Sequence, residues 1–284
     1  MTMVKLNQSD KIGILAGGGD LPVMVATACE KIDIPYVMVS FEGQPQPTGA
    51  DLLDKAKRHI LPLGKVGKTL ALFKKAGVTR VVMIGNLEKP SLFSLKPDWK
   101  GAQILTKLAL HHDDSLLRAV ANVIEVEDMK VCGIHELLPE LMMPVGQIGK
   151  HKPSKDMEED IQIGWRIAKV VGAEDIGQAV VVKNRVVLGV EGVEGTDKLI
   201  ERCADLRGSD NSGATLIKVA KPQQDLRFDM PSIGPKTIRR LVDKKYSGLI
   251  VESGHALFVH AEECKRIADE NGLFIVGVDV IEEL

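Results

Sequence analysis

From Lys11 the chain runs through KIGILA, a glycine-rich turn, LPVMVATACEKI and then YVMVSF. The first and last of these are short apolar runs of strand length, and the middle one has the length and apolar spacing of a helix. This β-α-β opening constrains the fold more than any other feature. Parallel neighbours need a crossover connection, and the crossover helix covers one face of the sheet. The pattern then repeats: a helix is expected near Val66 to Ala76 before TRVVMIG, and another near Asp114 to Glu127 before MKVCGI. The fold class expected is α/β, with an N-terminal Rossmann-like parallel-sheet domain over residues 1–140 and a second, mixed α/β domain.

The texture changes between Pro139 and Asp160, where PELMMPVGQIGKHKPSKDMEED suits neither helical nor strand periodicity. Residues 141–160 are therefore expected to be a linker, and 161–284 the C-terminal, catalytic domain. Across that boundary a helix is expected from Met157 to Val171. QAVVV and RVVLGVE are separated by Lys183 and Asn184, which suits a tight hairpin because Asn tolerates left-handed backbone angles. Further strands are expected in ATLIKVA, GLIVES, ALFVH and LFIVGV. The total of 284 residues fits two domains of about 150 residues each.

Composition narrows the function. With 44% hydrophobic and 27% charged residues the chain buries an ordinary core. A formal charge of −2 supplies no positive field for a phosphate polymer, so no nucleic-acid partner is expected. Cys29, Cys132, Cys203 and Cys264 form no C-x-x-C pair and read as small buried hydrophobes. No apolar stretch has the length of a signal core or a bilayer span, so a cytoplasmic protein is expected.

Several segments carry side chains suited to chemistry. Gly17, Gly18 and Gly19 lie between a strand and a helix with Pro22 near its first turn, which suits either anion binding by exposed amides or a purely structural turn. A third fingerprint glycine is missing there, so a nicotinamide cofactor is not specified, although Glu42 keeps a ribose contact open. Gly67-Lys68-Thr69 and Gly234-Pro235-Lys236-Thr237 imitate a P-loop but fail its spacing. In the second of these, Gly234-Pro235 is expected to open a helix. His111-His112-Asp113-Asp114 reads as a helix cap rather than a metal site.

Glu191, Glu194, Thr196 and Asp197 stand at the exit of RVVLGVE and the start of a helical segment, where the carboxylates can hold a hard cation or merely complement the helix dipole. The stretch from Lys218 to Pro231, KVAKPQQDLRFDMP, mixes two lysines, Lys218 and Lys221, with Asp225, Arg227 and Asp229 around prolines. Phosphoryl chemistry asks for that mixture, since carboxylates bind Mg²⁺ or position water while Lys and Arg offset phosphate charge. Gln223, Gln224 and Asn211 can read a base or sugar edge or be ordinary loop residues, and a solvated loop with incidental ion pairs is the other reading of the segment.

With these stretches the chain resembles the LpxI-type UDP-2,3-diacylglucosamine pyrophosphatases of lipid A synthesis. The resemblance is carried by ILAGGGDLP at Ile14 to Pro22, VEGVEGTD at Val190 to Asp197 and KVAKPQQDLRFDMPSIGPKT at Lys218 to Thr237. GKVGK at Gly64 to Lys68, HDDSLLRAV after His111 and DIGQAVVV at Asp175 to Val182 support it. His112 and His255 stand where the family pattern differs. The resemblance implies hydrolysis of the UDP-2,3-diacylglucosamine diphosphate to UMP and 2,3-diacylglucosamine 1-phosphate, with Mg²⁺ or another divalent cation. It also implies a ligand held between two domains.

On this basis Asp225, Arg227 and Lys221 are the candidate catalytic residues. Asp225, Asp229, Glu191 and Asp197 are the candidate metal ligands. Candidate substrate contacts are Gly17, Gly18, Gly19, Gln147, Lys150, Thr196, Asn211 and Gln224. Leu141, Met142 and Met143 suit either an acyl groove or ordinary core packing. Transient contact with the cytoplasmic face of the inner membrane and a homodimeric assembly are expected. Two other readings are an NAD(P)-dependent oxidoreductase and a non-enzymatic nucleotide-sugar binding protein.

Overall fold

The computed structural model describes residues 9–88, 97–108, 114–208 and 213–279. The chain divides into two compact units, Met1–Pro139 and Glu140–Leu284. The His111 to Asp113 part of the expected helix cap lies outside the described residues, as does Asn211.

The first unit holds a parallel sheet of β1 (Ile12–Ala16), β2 (Tyr36–Phe41), β3 (Arg58–Leu61), β4 (Arg80–Ile84) and β5 (Lys130–Cys132), in the order β3-β2-β1-β4-β5. The order reverses at β1, the hallmark of doubly wound sheets and the expected Rossmann-like arrangement. Helix α1 (Leu21–Lys31) starts with Pro22 in its first turn, where a missing N–H costs nothing. Helix α2 (Val66–Ala76) stops at Gly77, whose φ of 72° is the left-handed cap that terminates the helix. Gly67, Lys68 and Thr69 sit inside α2, so that segment is no phosphate loop. Helices α3 (Trp99–Leu108) and α4 (Asp114–Glu125) precede β5, and a short helix α5 (Ile134–Leu137) follows it.

The second unit holds a six-stranded sheet in the order β6-β13-β11-β9-β7-β8. Its centre is parallel: β9 (Thr215–Lys218), β11 (Gly248–Glu252) and β13 (Phe274–Val278). Antiparallel strands flank both sides, β6 (Gly146–Ile148) on β13 and β7 (Ala179–Lys183) on β9, with β8 (Val186–Val190) outermost. The sheet is mixed, as expected. Part of the stretch expected to be a linker is thus a strand, because Ile148 packs against the core through its pairing with Ile275.

The period-two alternation of the strands builds two cores. Val181, Leu216, Leu249 and Ile275 face helices α7 (Gly195–Ala204), α8 (Pro235–Asp243) and α9 (Ala261–Asn271), through Leu199, Ile238, Leu241 and Ile267. Val180, Val182, Ile217, Ile250 and Val276 face α6 (Glu158–Ala173), through Ile161 and Ala168. Covering on both faces explains why these strands read as unbroken apolar runs. Leu141 and Met143 are buried, and Met143 belongs to the first of these cores, so both are packing residues.

The β7-β8 turn falls one residue later than expected. Lys183 still pairs with Val186, and Asn184 and Arg185 take the left-handed angles, φ 51° and 64°. The Asp160 carboxylate accepts hydrogen bonds from both of their backbone amides, which holds the two-residue loop in place. A two-strand parallel pair, β10 (Ser232–Ile233) with β12 (Leu257–Phe258), completes the unit. Among the described residues no helix is long and apolar enough to cross a membrane.

Candidate active site

The strand directions gather chemistry on one edge of the second sheet. Strands β9 and β11 run parallel and end at Lys218 and Glu252, with Val251 paired to Lys218. Because β7 is antiparallel to β9, its first residue Ala179 lies opposite Lys218. The return strand β8 then ends on the same edge at Val190, paired to Val180. The loops carrying Glu191 to Thr196, Ala220 to Met230 and Ser253 to His255 therefore all leave from the carboxyl ends of the parallel strands or beside them. Open α/β sheets bind ligands at that edge.

Three side chains form a chain of hydrogen bonds there. Glu191, 6% exposed, accepts from the Gln178 amide at 3.0 Å and from Thr196 Oγ1 at 2.7 Å. Lys218, 7% exposed, donates from Nζ to Thr196 Oγ1 at 3.1 Å. The last position of β9 alternates to the same face as Leu216, which is why Lys218 meets Thr196 in the first turn of α7. Burial pulls the Lys218 ammonium below the ordinary lysine range, against the attraction of Glu191 and Asp197.

Asp197, one residue on, accepts from Lys236 at 3.0 Å and from Arg240, both on α8. Partial burial pushes its pKa up, but the hydrogen bonds and charges of Arg240 and Lys236 outweigh that and hold it below the usual carboxylate range. Glu194 is held by Arg202, with Nε at 3.1 Å and Nη2 at 2.9 Å.

The loop after β9 is organised from within. Arg227 donates to Asp225 through Nε to Oδ1 at 2.9 Å and Nη2 to Oδ2 at 2.8 Å, a planar fork matched to a carboxylate. The Arg227 amide adds a third bond to Oδ1 at 3.1 Å, and the Asp225 carbonyl accepts from the amides of Phe228 and Asp229. Gln224 accepts from the Lys221 amide at 3.0 Å and donates to Asp229 at 3.1 Å, while Lys221 Nζ reaches Asp175 at 2.7 Å.

Glu252 ties the root of this loop to the sheet. It is 6% exposed, accepts from the Ala220 amide at 2.8 Å and from Lys169 Nζ, and has His255 Nδ1 3.8 Å away. A side chain thus takes the place of a ladder carbonyl where the loop leaves β9.

These placements correct two expectations. The four proposed metal ligands do not converge: Asp225 is clasped by Arg227, Asp197 by Lys236 and Arg240, Asp229 by Gln224, and Glu191 by Thr196 and Gln178. Among the described residues no three His, Cys, Asp or Glu side chains form a group that could hold a metal ion. Each acid has a cation or donor partner of its own, and as placed the four do not form a shared cage.

Gly17 and Gly18, in turn, are committed to packing. Their amides donate to the carbonyls of Ile84 and Asn86, each at 2.8 Å, and a methyl on Gly17 or Gly18 would collide with Asn86 or Pro45. The structural reading of the turn accounts for both, while Gly19 takes a φ of 92° with open space beside it.

Thr196, Gln224, Lys221, Asp225, Arg227 and Asp229 do belong to the gathered edge. Lys150 does not, because β6 runs antiparallel to β13 and carries it past the opposite edge, where its amide donates to Asp269 at 2.6 Å. Gln147 is exposed on the outer strand and donates to the Gly149 carbonyl at 2.9 Å. Glu252 and Lys169 were missed as site residues, and Lys218, counted among the cations of its segment, was not among the candidate site residues. The available signal was a charged residue ending an apolar strand, as in TLIK and GLIVE.

Both halves of the chain are similar to known domains. Residues 11–141 match the LpxI N-terminal domain and residues 144–276 the LpxI C-terminal domain. The chain is 35% identical over 277 residues to the UDP-2,3-diacylglucosamine pyrophosphatase LpxI of Caulobacter vibrioides, covering 95% of this chain and 98% of that protein. With both halves matched and nearly the whole length aligned, the chain belongs to the LpxI family.

Proposed function

We propose that the chain is an enzyme that hydrolyses the diphosphate of UDP-2,3-diacylglucosamine, giving UMP and 2,3-diacylglucosamine 1-phosphate for lipid A synthesis. The observation that carries this reading is the Asp225 carboxylate, fixed by the Arg227 fork in a loop rooted at the carboxyl end of β9. A carboxylate so held can orient a water molecule and take its proton, while Lys221 and Arg227 offset charge on phosphate oxygens. Family membership and the name of the Caulobacter relative supply the substrate class.

The requirement for Mg²⁺ or another divalent cation stays part of the proposal. A preformed cage is not needed for it, since Mg²⁺ is commonly held by one or two carboxylates together with substrate phosphates. The same reading places the enzyme in the cytoplasm, meeting the inner membrane transiently to reach its lipid, and makes a homodimer its default assembly.

Incubation with UDP-2,3-diacylglucosamine, with and without chelator, tests the core of this. UMP release that stops on chelation and returns with Mg²⁺ is expected. Undiminished release in chelator would remove the cation, and no release under any condition would remove the activity. Flotation with anionic liposomes is expected to show weak, salt-sensitive binding.

A further inference from the structure

We propose that Lys218 is a catalytic residue, its ammonium donating to a diphosphate oxygen throughout the reaction. The inference rests on the hydrolytic reading above and extends it to a side chain that the Asp225 loop does not contain.

The argument starts from the cost of the residue's position. An ammonium removed from water loses several kcal/mol of hydration, which a protein recovers only with a close counter-charge or a full set of acceptors. Lys218 has neither. Among the described residues its one hydrogen-bond partner is Thr196 Oγ1. The nearby acids are spoken for. Asp197 is paired with Lys236 and Arg240, and Glu191 is reached only through the Thr196 hydroxyl, which donates onward to it. The hydroxyl thus works as a spacer that steadies the ammonium without neutralising it. An ammonium has three donors, so this geometry leaves Lys218 capacity for an anionic oxygen.

The surroundings favour an anion at that point. Lys218 ends a parallel strand on the ligand-binding edge, beside the first turn of α7, where the helix dipole is positive. In the reaction a water oxygen bonds to one phosphorus, the bridging P–O bond breaks, and its electron pair stays with the departing phosphate. The water proton passes to Asp225 and then to solvent. Negative charge grows on phosphate oxygens as this happens, and Lys218 offsets it while keeping its own proton.

The test uses the full chain with Lys218→Met and, as a second variant, Lys218→Gln. A lysine kept for chemistry in a costly position should, when replaced by Met, leave the melting temperature unchanged or raise it. Turnover of UDP-2,3-diacylglucosamine should fall at least tenfold, with about 100-fold expected for a lost charge-stabilising donor. A loss under tenfold overturns the proposal, as does a lower melting temperature in both variants, which marks a structural lysine.

If the wild-type chain does not hydrolyse this lipid, the proposed function fails, and Lys218 is judged by thermal shift with inorganic pyrophosphate. A stabilisation present in wild type and lost in both variants supports the anion site. An equal shift in all three, or none in wild type, overturns it.

Discussion

Asp225 is fastened by a residue two positions ahead of it, so the pair travels as one local unit. Asp225→Ala is expected to lower turnover by about 100-fold or more while the melting temperature stays within a few degrees of wild type, measured by UMP release and calorimetry. Asp225 and Arg227 stand in one loop, so their closeness is legible in the sequence, although the sequence reading gave them separate partners, a metal or water and a phosphate. The Lys218–Thr196–Glu191 chain is not, since its members come from β9, α7 and the end of β8 and meet only when the strands register.

Asp197 gives a pH signature. Its pKa lies below the unfolded value, so its stabilisation is present above the unfolded carboxylate pKa, about 4, and is lost as pH falls through the folded value. Asp197→Asn is therefore expected to lower the melting temperature at neutral pH and to match wild type in strong acid. The cysteines also follow their sequence reading. All four are buried and free, and burial pushes Cys29 up to about 11 and Cys132 and Cys264 up to about 12. Ellman's reagent at pH 8 is expected to titrate none of them in the native protein and all of them in denaturant.

Among elements, the loop after β9 depends on a strand it does not belong to. Glu252, at the end of β11, holds the Ala220 amide, and Glu252→Ala leaves that amide without its acceptor and Lys169 without its carboxylate. A destabilisation of about 1–3 kcal/mol is expected in urea titration, with turnover falling more steeply than substrate affinity because the Asp225 loop loses its root.

Strands and helices were largely legible at this scale, since continuous apolar runs flanked by helices admit few other folds. Several of the failures share a cause, which is partners far away in sequence. The hairpin shifted by a residue because Lys183 kept its partner and Asp160, on α6, captured the next two amides. The glycine turn lost its phosphate role at Gly17 and Gly18 because Ile84 and Asn86 took their amides. Likewise β6 was hidden in proline-rich sequence because its only strand partner, β13, comes last among the described strands.

For the molecule as a whole, the second unit carries its own two cores, one on each face of its sheet. A fragment of residues 140–284 is expected to give a helical and strand circular-dichroism spectrum and a single cooperative melt, whereas one lacking a sheet would show neither.

The pairing of β6 with β13 has a further consequence for that fragment. The strand that leaves the ribosome first must wait for the strand that leaves last, so one flank of the sheet stays open until synthesis of the unit is nearly done. The same adjacency, with Gly277 beside Gly146, means that a chain reconnected from β13 to β6 and opened in the Asn184–Arg185 turn would form that flank as a hairpin and move the wait to β8, whose partner β7 would then come last.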